Sequence, residues 1–226
     1  MKLNVMKHWL SIFAFSAFAL LSATQANAAD PQLGNDFDKT AQVIATDNPA
    51  KIEVTELFWY GCIHCYQMDP ILEAWVKKLP NDVVFKRMPG LPQPAWAPMA
   101  KAYFAMEDLG ILEKTHTPLF DAIHKQKVLN PTDEVATIAW MTKQSGLEKA
   151  KVEAAFKSFS IGNKLNRAQQ YFRASGATGV PSLIIDGQFI TSSTMAGGNP
   201  AALKVADYII SNIRADKAAK AKAPKK

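Results

Sequence analysis

The stretch IEVTELFWYGCIHCYQMDP, residues 52–70, joins a strand pattern directly to a helix pattern. Ile52–Tyr60 is rich in β-branched and aromatic residues, which is typical of a buried strand. Across Met68–Leu79 the apolar residues recur every three or four positions, as on one face of a helix. Cys62 and Cys65 are therefore predicted to lie where the strand gives way to the helix.

The rest of the chain continues this strand and helix pattern. Val83–Met88 predicts a second strand, and a β-α-β unit with a right-handed crossover implies parallel pairing of its strands. From Met99 to about Phe172 the sequence shows only helical patterns. Two short strands, at 182–185 and 188–191, are predicted on either side of the turn Asp186-Gly187. A final helix is predicted at 200–214. The predicted order is β-α-β, a helical insertion, a β-hairpin and a helix.

The first 28 residues have the features of a secretory signal. They combine a basic start, an apolar run and the small residues Ala26-Asn27-Ala28, which predicts cleavage before Ala29. The alternative is a membrane anchor, but the apolar run is shorter than the roughly 20 residues that a spanning helix needs. We therefore expect a soluble, exported protein.

The net charge of +6 is concentrated at the two ends of the chain. Residues 215–226 read ADKAAKAKAPKK, which predicts a solvated, disordered tail, with weak contact to an anionic membrane as the alternative. Residues 29–213 carry a net charge of −1. Because no stripe of basic and aromatic residues is present in the sequence either, nucleic acid is not an expected partner.

The spacing of Cys62 and Cys65 suits redox chemistry at a helix start. Cys62 would lie beside the free amides of the helix N-terminus, whose partial positive charge favours a thiolate. His64 can add a hydrogen bond or, when protonated, a full charge. We predict that Cys62 is the exposed nucleophile with a low pKa and that Cys65 is the buried resolving thiol. Each unit by which the pKa of Cys62 falls stabilises the reduced form by roughly 1.4 kcal/mol, or about 30 mV, so that such a pair donates its disulfide.

The same two cysteines would also fit half of a metal site or a structural disulfide. A tetrahedral metal site needs further ligands, and besides acids the mature chain offers only His64, His116 and His124. We interpret His116 and His124, in the helical block, as ordinary surface or cap histidines. A redox pair is therefore favoured, and no metal site is predicted.

The motif FWYGCIHCYQMDP, together with Gly179-Val180-Pro181 before a strand, resembles the DsbA family of periplasmic thiol:disulfide oxidases. The resemblance covers essentially the whole mature chain. It implies an α/β fold, namely a thioredoxin fold with an inserted all-helical domain. The corresponding division is a signal peptide, a thioredoxin-like domain in two parts, a helical insertion and a disordered Lys-rich tail: 1–28, 29–94 with 168–214, 95–167 and 215–226.

The resemblance also implies roles for single residues. Val180-Pro181 corresponds to the family's cis-proline loop, where backbone groups of residue 180 face the disulfide and pair with an extended substrate. Sequence alone would favour a trans bond, because only about 5–6% of X–Pro bonds are cis. Glu56 and Asp69 match acids that the family keeps near the buried cysteine, which suits proton transfer. From the residues alone, Glu56 is as compatible with a solvated edge position, and Asp69 fits a solvated helix face better.

One position departs from the family pattern. Ile63 stands where the best-known members have proline, and isoleucine keeps its amide and fixes φ less firmly. The oxidising strength therefore cannot be transferred quantitatively, although His64, the more direct thiolate stabiliser, is retained. Ile63 and Val180 are the candidate substrate-binding residues. The aromatic residues Phe58–Tyr60 would suit an apolar surface beside the disulfide or core packing, and we expect at least one to be exposed.

Together these features predict an exported enzyme that donates the Cys62–Cys65 disulfide to reduced, unfolded exported proteins. By family analogy, a quinone-linked membrane partner of the DsbB type would reoxidise it. No flavin, nicotinamide or metal is implied, and a monomer is the default expectation. Two alternatives stay open: a disulfide isomerase or reductant, which would tend to carry a separate dimerisation domain, and a metal or peptide carrier that uses the cysteines as ligands.

Overall fold

A computed structural model describes residues 29–222 as a five-stranded sheet with helices on both faces. The strands of this part of the chain are β1 (Asp38–Lys39), β2 (Ile52–Phe58), β3 (Val83–Pro89), β4 (Ser182–Ile185) and β5 (Phe189–Ser192). Its α-helices are α1 (Ile63–Val76), α2 (Ala97–Asp108), α3 (Leu112–His124), α4 (Glu134–Ser145), α5 (Lys149–Phe156), α6 (Phe159–Ser175), α7 (Ser193–Ala196) and α8 (Asn199–Lys222), with a 3-10 turn at Pro94–Trp96.

The strand order is β1-β5-β4-β2-β3. Strands β2 and β3 are parallel, as the β-α-β pattern predicts, and the other neighbours are antiparallel. Asp186 and Gly187 have φ of 52° and 64°, the left-handed values that a type I′ hairpin turn requires. The sequence pattern missed β1, because two polar residues carry no strand signal.

Successive side chains of a strand point to opposite faces of the sheet, so the apolar residues of the sheet belong to two different layers. Leu183 and Ile185 of β4 pack with helices α1 and α8, whereas Ile184 packs against Phe172 of α6 on the other face. This alternation follows from the two-residue repeat of a strand. The sheet is therefore buried from both sides, and every residue of β2 and β4 is buried.

A further core joins the helical block to the end of β2. Phe58, Tyr60 and Cys65 belong to the same buried cluster as the apolar residues of α2 to α6. The end of β2 and the start of α1 thus lie at the junction between the sheet and the helices, and this junction carries the two cysteines. The predicted α/β fold with a helical insertion is confirmed. The division at residues 167 and 168 remains a prediction, although α6 continues across that point to Ser175.

The prediction of a disordered tail is wrong for residues 215–222. Helix α8 continues to Lys222, because alanine and lysine are good helix formers. Lys217 also fixes this segment to the body by donating to the carbonyls of Pro49 and Lys51 and to the Asp186 carboxylate. Residues 223–226 and the predicted signal at 1–28 lie outside the described residues. Within residues 29–222, every helix is too short or too polar to span a membrane.

Candidate active site

Cys62 is the N-cap residue of α1. Its backbone is extended, with φ −88° and ψ 117°, and its Sγ accepts the backbone N–H of Cys65 at 3.4 Å. A helix leaves its first amides without partners inside the helix. The Cys62 sulfur therefore occupies the position where those amides and the positive end of the helix favour a thiolate, as the sequence predicts.

The environment separates the acidities of the two thiols, which are both free in this structure. A hydrogen bond with the Cys65 thiol is the largest cause that lowers the pKa of Cys62 to about 6; the backbone N–H groups of Cys65 and His64 act in the same direction. Burial, together with the hydrogen bond and charge of Cys62, raises the pKa of Cys65 well above its usual value. Cys62 is half-buried and Cys65 is 0% exposed. The structure thus buries Cys65 and gives Cys62 the lower pKa of the two thiols, and the roles of nucleophile and resolving thiol remain a prediction.

His64 lowers the pKa of Cys62 through both its backbone N–H and its charge. Its side chain is exposed, and its charge is a smaller cause of the low pKa of Cys62 than the hydrogen bonds from Cys65 and from the His64 backbone. The His64 charge still acts in the expected direction, whereas Ile63 is not among the main causes of the low pKa of Cys62. The backbone N–H groups of Cys65 and His64 at the helix start lower the pKa of Cys62 more than the His64 charge does, because they donate hydrogen bonds to the sulfur.

The Val180–Pro181 peptide bond is cis, as the family resemblance implies. The Cys62 thiol donates to the carbonyl oxygen of Val180 at 3.4 Å, so the loop before β4 lies directly against Cys62. Ile63 lies on the outer side of the same site and is 44% exposed. The two candidate substrate-binding residues thus lie next to Cys62 on different elements, Ile63 at the start of α1 and Val180 in the loop before β4.

Glu56 and Asp69 are both buried, at 2% and 3% exposure, and share the cation Arg87. The Arg87 guanidinium donates to Glu56 at 3.1 Å and to Asp69 at 3.5 Å. It also donates to Glu73 at 2.5 Å on the outer side of α1. The alternatives of a solvated Glu56 and a solvated Asp69 are therefore wrong, because both carboxylates are paired inside the protein.

Burial and charge give these two carboxyl groups different pKa values. Burial raises the pKa of Glu56 to about 7, because the charge of Arg87 offsets it only partly and the charge of Asp69 adds to it. Burial would raise the pKa of Asp69 as well, but the nearby His116 ring, the charge of Arg87 and the hydrogen bond from Thr117 hold it below its usual value. At neutral pH Asp69 is therefore ionised, whereas Glu56 is close to its midpoint.

Two histidines of α3 hold Tyr60, two residues before Cys62. His116 Nδ1 lies 2.6 Å from the Tyr60 hydroxyl, and His124 Nε2 lies 2.7 Å from the Tyr60 carbonyl oxygen. Burial lowers the pKa of His116. A neutral His116 that accepts from Tyr60 carries its proton on Nε2, which lies 3.3 Å from Asp69 without the alignment of a hydrogen bond. The interpretation of His116 as a surface or cap residue is wrong, since it is 6% exposed.

The aromatic run before the cysteines is divided between core and surface. Phe58 and Tyr60 are buried at 0% and 1%, whereas Trp59 is half-buried and stacks on Trp96, with ring centroids 4.2 Å apart and planes at 5°. The expectation that at least one of the three is exposed is therefore wrong, because even Trp59 is only half-buried against Trp96.

Sequence reasoning missed Arg87 and Trp96. A signal for Arg87 existed, because Glu56 and Arg87 each interrupt an apolar strand pattern and parallel pairing puts them in register. Trp96 gave no comparable signal. Within residues 29–222 no group of three or more Cys, His, Asp or Glu forms a possible metal site.

Comparison with known proteins gives consistent matches. The model of the DSBA-like thioredoxin domain family matches residues 82–209. The thiol:disulfide interchange protein DsbA of Pseudomonas aeruginosa is 35% identical over 207 residues, which cover 91% of this chain and 97% of that protein. The protein of the same name from Burkholderia cepacia is 34% identical over 212 residues, covering 92% and 98%.

Solved structures agree with these sequence matches. The crystal structure of Pseudomonas aeruginosa DsbA aligns with a TM-score of 0.74 at 33% identity, over 83% of this chain and 96% of that one. The oxidoreductase DsbA of Xylella fastidiosa aligns with a TM-score of 0.77 at 27% identity, over 82% and 98%. This chain therefore belongs to the DsbA-like family of thioredoxin-fold thiol:disulfide oxidoreductases.

Proposed function

We propose that this protein is an exported thiol:disulfide oxidase that donates a Cys62–Cys65 disulfide to reduced, unfolded proteins in the periplasm. The observation that carries the proposal is the opposite shift of the two thiol pKa values, to about 6 for Cys62 and upward for Cys65. A thiolate that is stable at neutral pH is a good leaving group. The pair therefore favours the dithiol state and passes its disulfide to clients.

The reaction consists of two exchanges. A client thiolate attacks Cys62 Sγ of the oxidised protein, the Cys62–Cys65 bond breaks, and Cys65 leaves with the electron pair and takes up a proton. A second client thiolate then attacks the client sulfur of the mixed disulfide, and Cys62 leaves as a thiolate. The client loses two electrons in forming its disulfide, and the protein gains them as a dithiol.

The loop before β4 is the proposed contact for the client backbone. Its Val180 carbonyl lies 3.4 Å from Cys62 Sγ, so a client bonded to that sulfur meets this backbone first. Backbone pairing accepts many client sequences, because main-chain groups are common to all of them. Val180 and Ile63 are the proposed substrate-binding residues, and Pro181, whose cis bond places the Val180 backbone beside Cys62, is proposed to belong to the catalytic centre with Cys62, His64 and Cys65.

Glu56 is the proposed proton donor and acceptor for the buried thiol. A pKa of about 7 lets it exchange protons at neutral pH, and its charge is one of the causes that raise the pKa of Cys65. Asp69 acts indirectly, since its charge raises the pKa of Glu56. Both proposed roles depend on the burial of Glu56 and Asp69 beside Arg87.

We propose that a separate protein reoxidises the dithiol form. The reduced form transfers its two electrons to a DsbB-type membrane partner linked to quinone, and the protein works as a monomer. This step rests on the family relationship and on the exported location that residues 1–28 predict. No resident cofactor is needed for dithiol exchange.

Equilibrium titration of the purified protein against glutathione buffers tests the direction of transfer. We expect a potential clearly above that of thioredoxin, about −270 mV. A potential as low as thioredoxin's would favour a reductant instead. Tightly bound metal together with failure to oxidise a reduced substrate would favour the carrier alternative.

The roles of the two thiols need a separate test with matched variants. Cys65→Ser should accumulate mixed disulfides with client proteins through Cys62, because the resolving thiol is gone. Cys62→Ser should accumulate none, because the remaining thiol is buried. Equal accumulation by both variants would contradict the assignment.

A further inference from the structure

An apolar cleft of about 460 Å³ opens beside the nucleophile, on the side of Ile63. Trp59 and Trp96 line it together with Phe172, and both Cys62 and Val180 belong to its wall. Within the described part of the chain, none of its lining residues carries a charge. A client joined to Cys62 therefore has this cleft within reach of the residues that flank its own cysteine.

The tryptophan wall depends on a glycine directly before the nucleophile. A Cβ atom on Gly61 would lie 2.4 Å from Cη2 of Trp59, so any larger residue would displace the indole. With glycine in place, the Trp59 ring folds back over residue 61 and stacks face to face on Trp96. Two elements that are distant in sequence thus form one flat aromatic surface next to Cys62.

The position of Trp59 carries a cost that packing alone does not explain. Its indole N–H is buried and has no hydrogen-bond acceptor among the described residues. An unpaired buried donor destabilises a folded protein, and such costs are expected where a residue serves function. The aromatic surface is the feature that this placement creates.

A second cleft, of about 640 Å³, lies on the other side of the same loop and has a different character. Its wall includes His64, Gln67, Ser193, Thr194 and Asn199. The two clefts share Val180 and Gly179. The surface around Cys62 is thus asymmetric, because the cleft toward α7 and α8, which also contains Pro181 and Met195, is more polar than the cleft toward the helical block.

We propose that the Trp59–Trp96 cleft binds an apolar side chain located within two residues of the client's reacting cysteine. The proposal rests on the proposed oxidase function and names the class of client segment that this site prefers. An extended chain advances about 3.3 Å per residue, so a residue one or two positions from the cysteine reaches a cleft that begins at Cys62. The uncharged wall disfavours acidic and basic side chains at that position, because their charges would lose water without gaining a partner.

The test uses five synthetic peptides and the oxidised protein. One peptide has a single cysteine flanked by two serines on each side, and the other four carry leucine in place of one serine, at positions −2, −1, +1 or +2. The measurement is the second-order rate of reduction of the protein disulfide by each peptide in excess, divided by the rate of the same peptide with glutathione disulfide. We expect at least one leucine peptide to react about tenfold faster than the serine peptide, the lower end of what a hydrophobic pocket discriminates.

Variants of the cleft connect this preference to the tryptophans. Trp96→Gln should reduce the ratio between the preferred leucine peptide and the serine peptide to about two or less, whereas Trp96→Phe should keep most of it. Trp75→Gln, the same substitution at the far end of α1, is the matched control and should keep the wild-type ratio.

The outcomes separate the two proposals. Equal rates for all five peptides with the wild-type protein, or an unchanged ratio in Trp96→Gln, would overturn the cleft while leaving the oxidase function intact. Failure of the oxidised protein to react with any of the peptides would overturn the oxidase function, and the cleft with it. The wild-type comparison needs no variant, so it decides the question even where a substituted protein does not fold.

Discussion

Replacing Glu56 with glutamine should stabilise the reduced protein at neutral and alkaline pH. The carboxyl group is 2% exposed, and burial raises its pKa to about 7 although Arg87 lies 3.1 Å away. Above this pH the folded protein has to keep a buried carboxylate. Glutamine has nearly the same shape without the charge, and Arg87 retains Asp69 and Glu73 as partners.

The size of the effect follows from the two pKa values. An ordinary glutamate has a pKa of 4.5, against about 7 for Glu56 in the folded protein. At about 1.4 kcal/mol per pKa unit, this difference corresponds to about 3 kcal/mol of folding free energy. Because the folded pKa is the higher one, the stabilising contribution of protonated Glu56 is complete below pH 4.5 and is lost as the pH rises to 7.

The gain from Glu56→Gln should therefore be small at pH 4.5 and reach about 3 kcal/mol at pH 8. Urea unfolding of the reduced wild-type and variant proteins at both pH values measures it. In a thermal scan at pH 8 it corresponds to a rise in Tm of about 6–12 °C for a chain of this size.

Glu73→Gln is the matched control for this prediction. Glu73 bonds the same arginine, but its side chain is 39% exposed, so no comparable burial cost is removed. A Glu56→Gln variant whose stability relative to wild type is the same at pH 4.5 and pH 8 would refute the argument. The same gain in Glu73→Gln would assign the effect to Arg87 instead.

Three further predictions concern the thiol, the glycine before it and the final helix. Absorbance of the thiolate near 240 nm should give Cys62 a pKa of about 6, and His64→Ala should raise it while leaving it well below 9.0; a return to 9.0 would contradict the dominance of the helix-start hydrogen bonds. Gly61→Ala should lose about 1–3 kcal/mol in urea unfolding because its Cβ would collide with an indole, whereas Gly162→Ala, with open space inside a helix, should gain about 0.5–1 kcal/mol. Lys217→Ala should lose about 1 kcal/mol in thermal unfolding, and no loss would mean that its three hydrogen bonds to the body of the protein are not maintained in solution.

The sequence predicted those features whose causes lie within a few residues. The position of Cys62 at a helix start, the buried Cys65 and the hairpin at Asp186-Gly187 each follow from local patterns of apolar residues, turn residues and caps. The cis bond before Pro181 is a different case, because only the family resemblance, and not the local sequence, favoured it.

Predictions failed where distant contacts changed the balance. His116 and Asp69 both fit solvated helix positions, but packing of α3 against α1 and the end of β2 buries both of them. The Lys-rich segment after residue 214 reads as a free tail, yet Lys217 finds acceptors that are distant in sequence, and the helix continues.

The sequence by itself determined where the cysteine pair lies and which of the two thiols has the lower pKa, since a helix end creates its partial charge through adjacent amides. Only the tertiary structure decided the electrostatic environment of the buried Cys65 and the shape of the surface beside Cys62. The pKa of Glu56 depends on burial and on Arg87, which a neighbouring strand supplies. The aromatic cleft depends on a stack between Trp59 and Trp96. Both arise from desolvation and contact between elements that the chain brings together only when it folds.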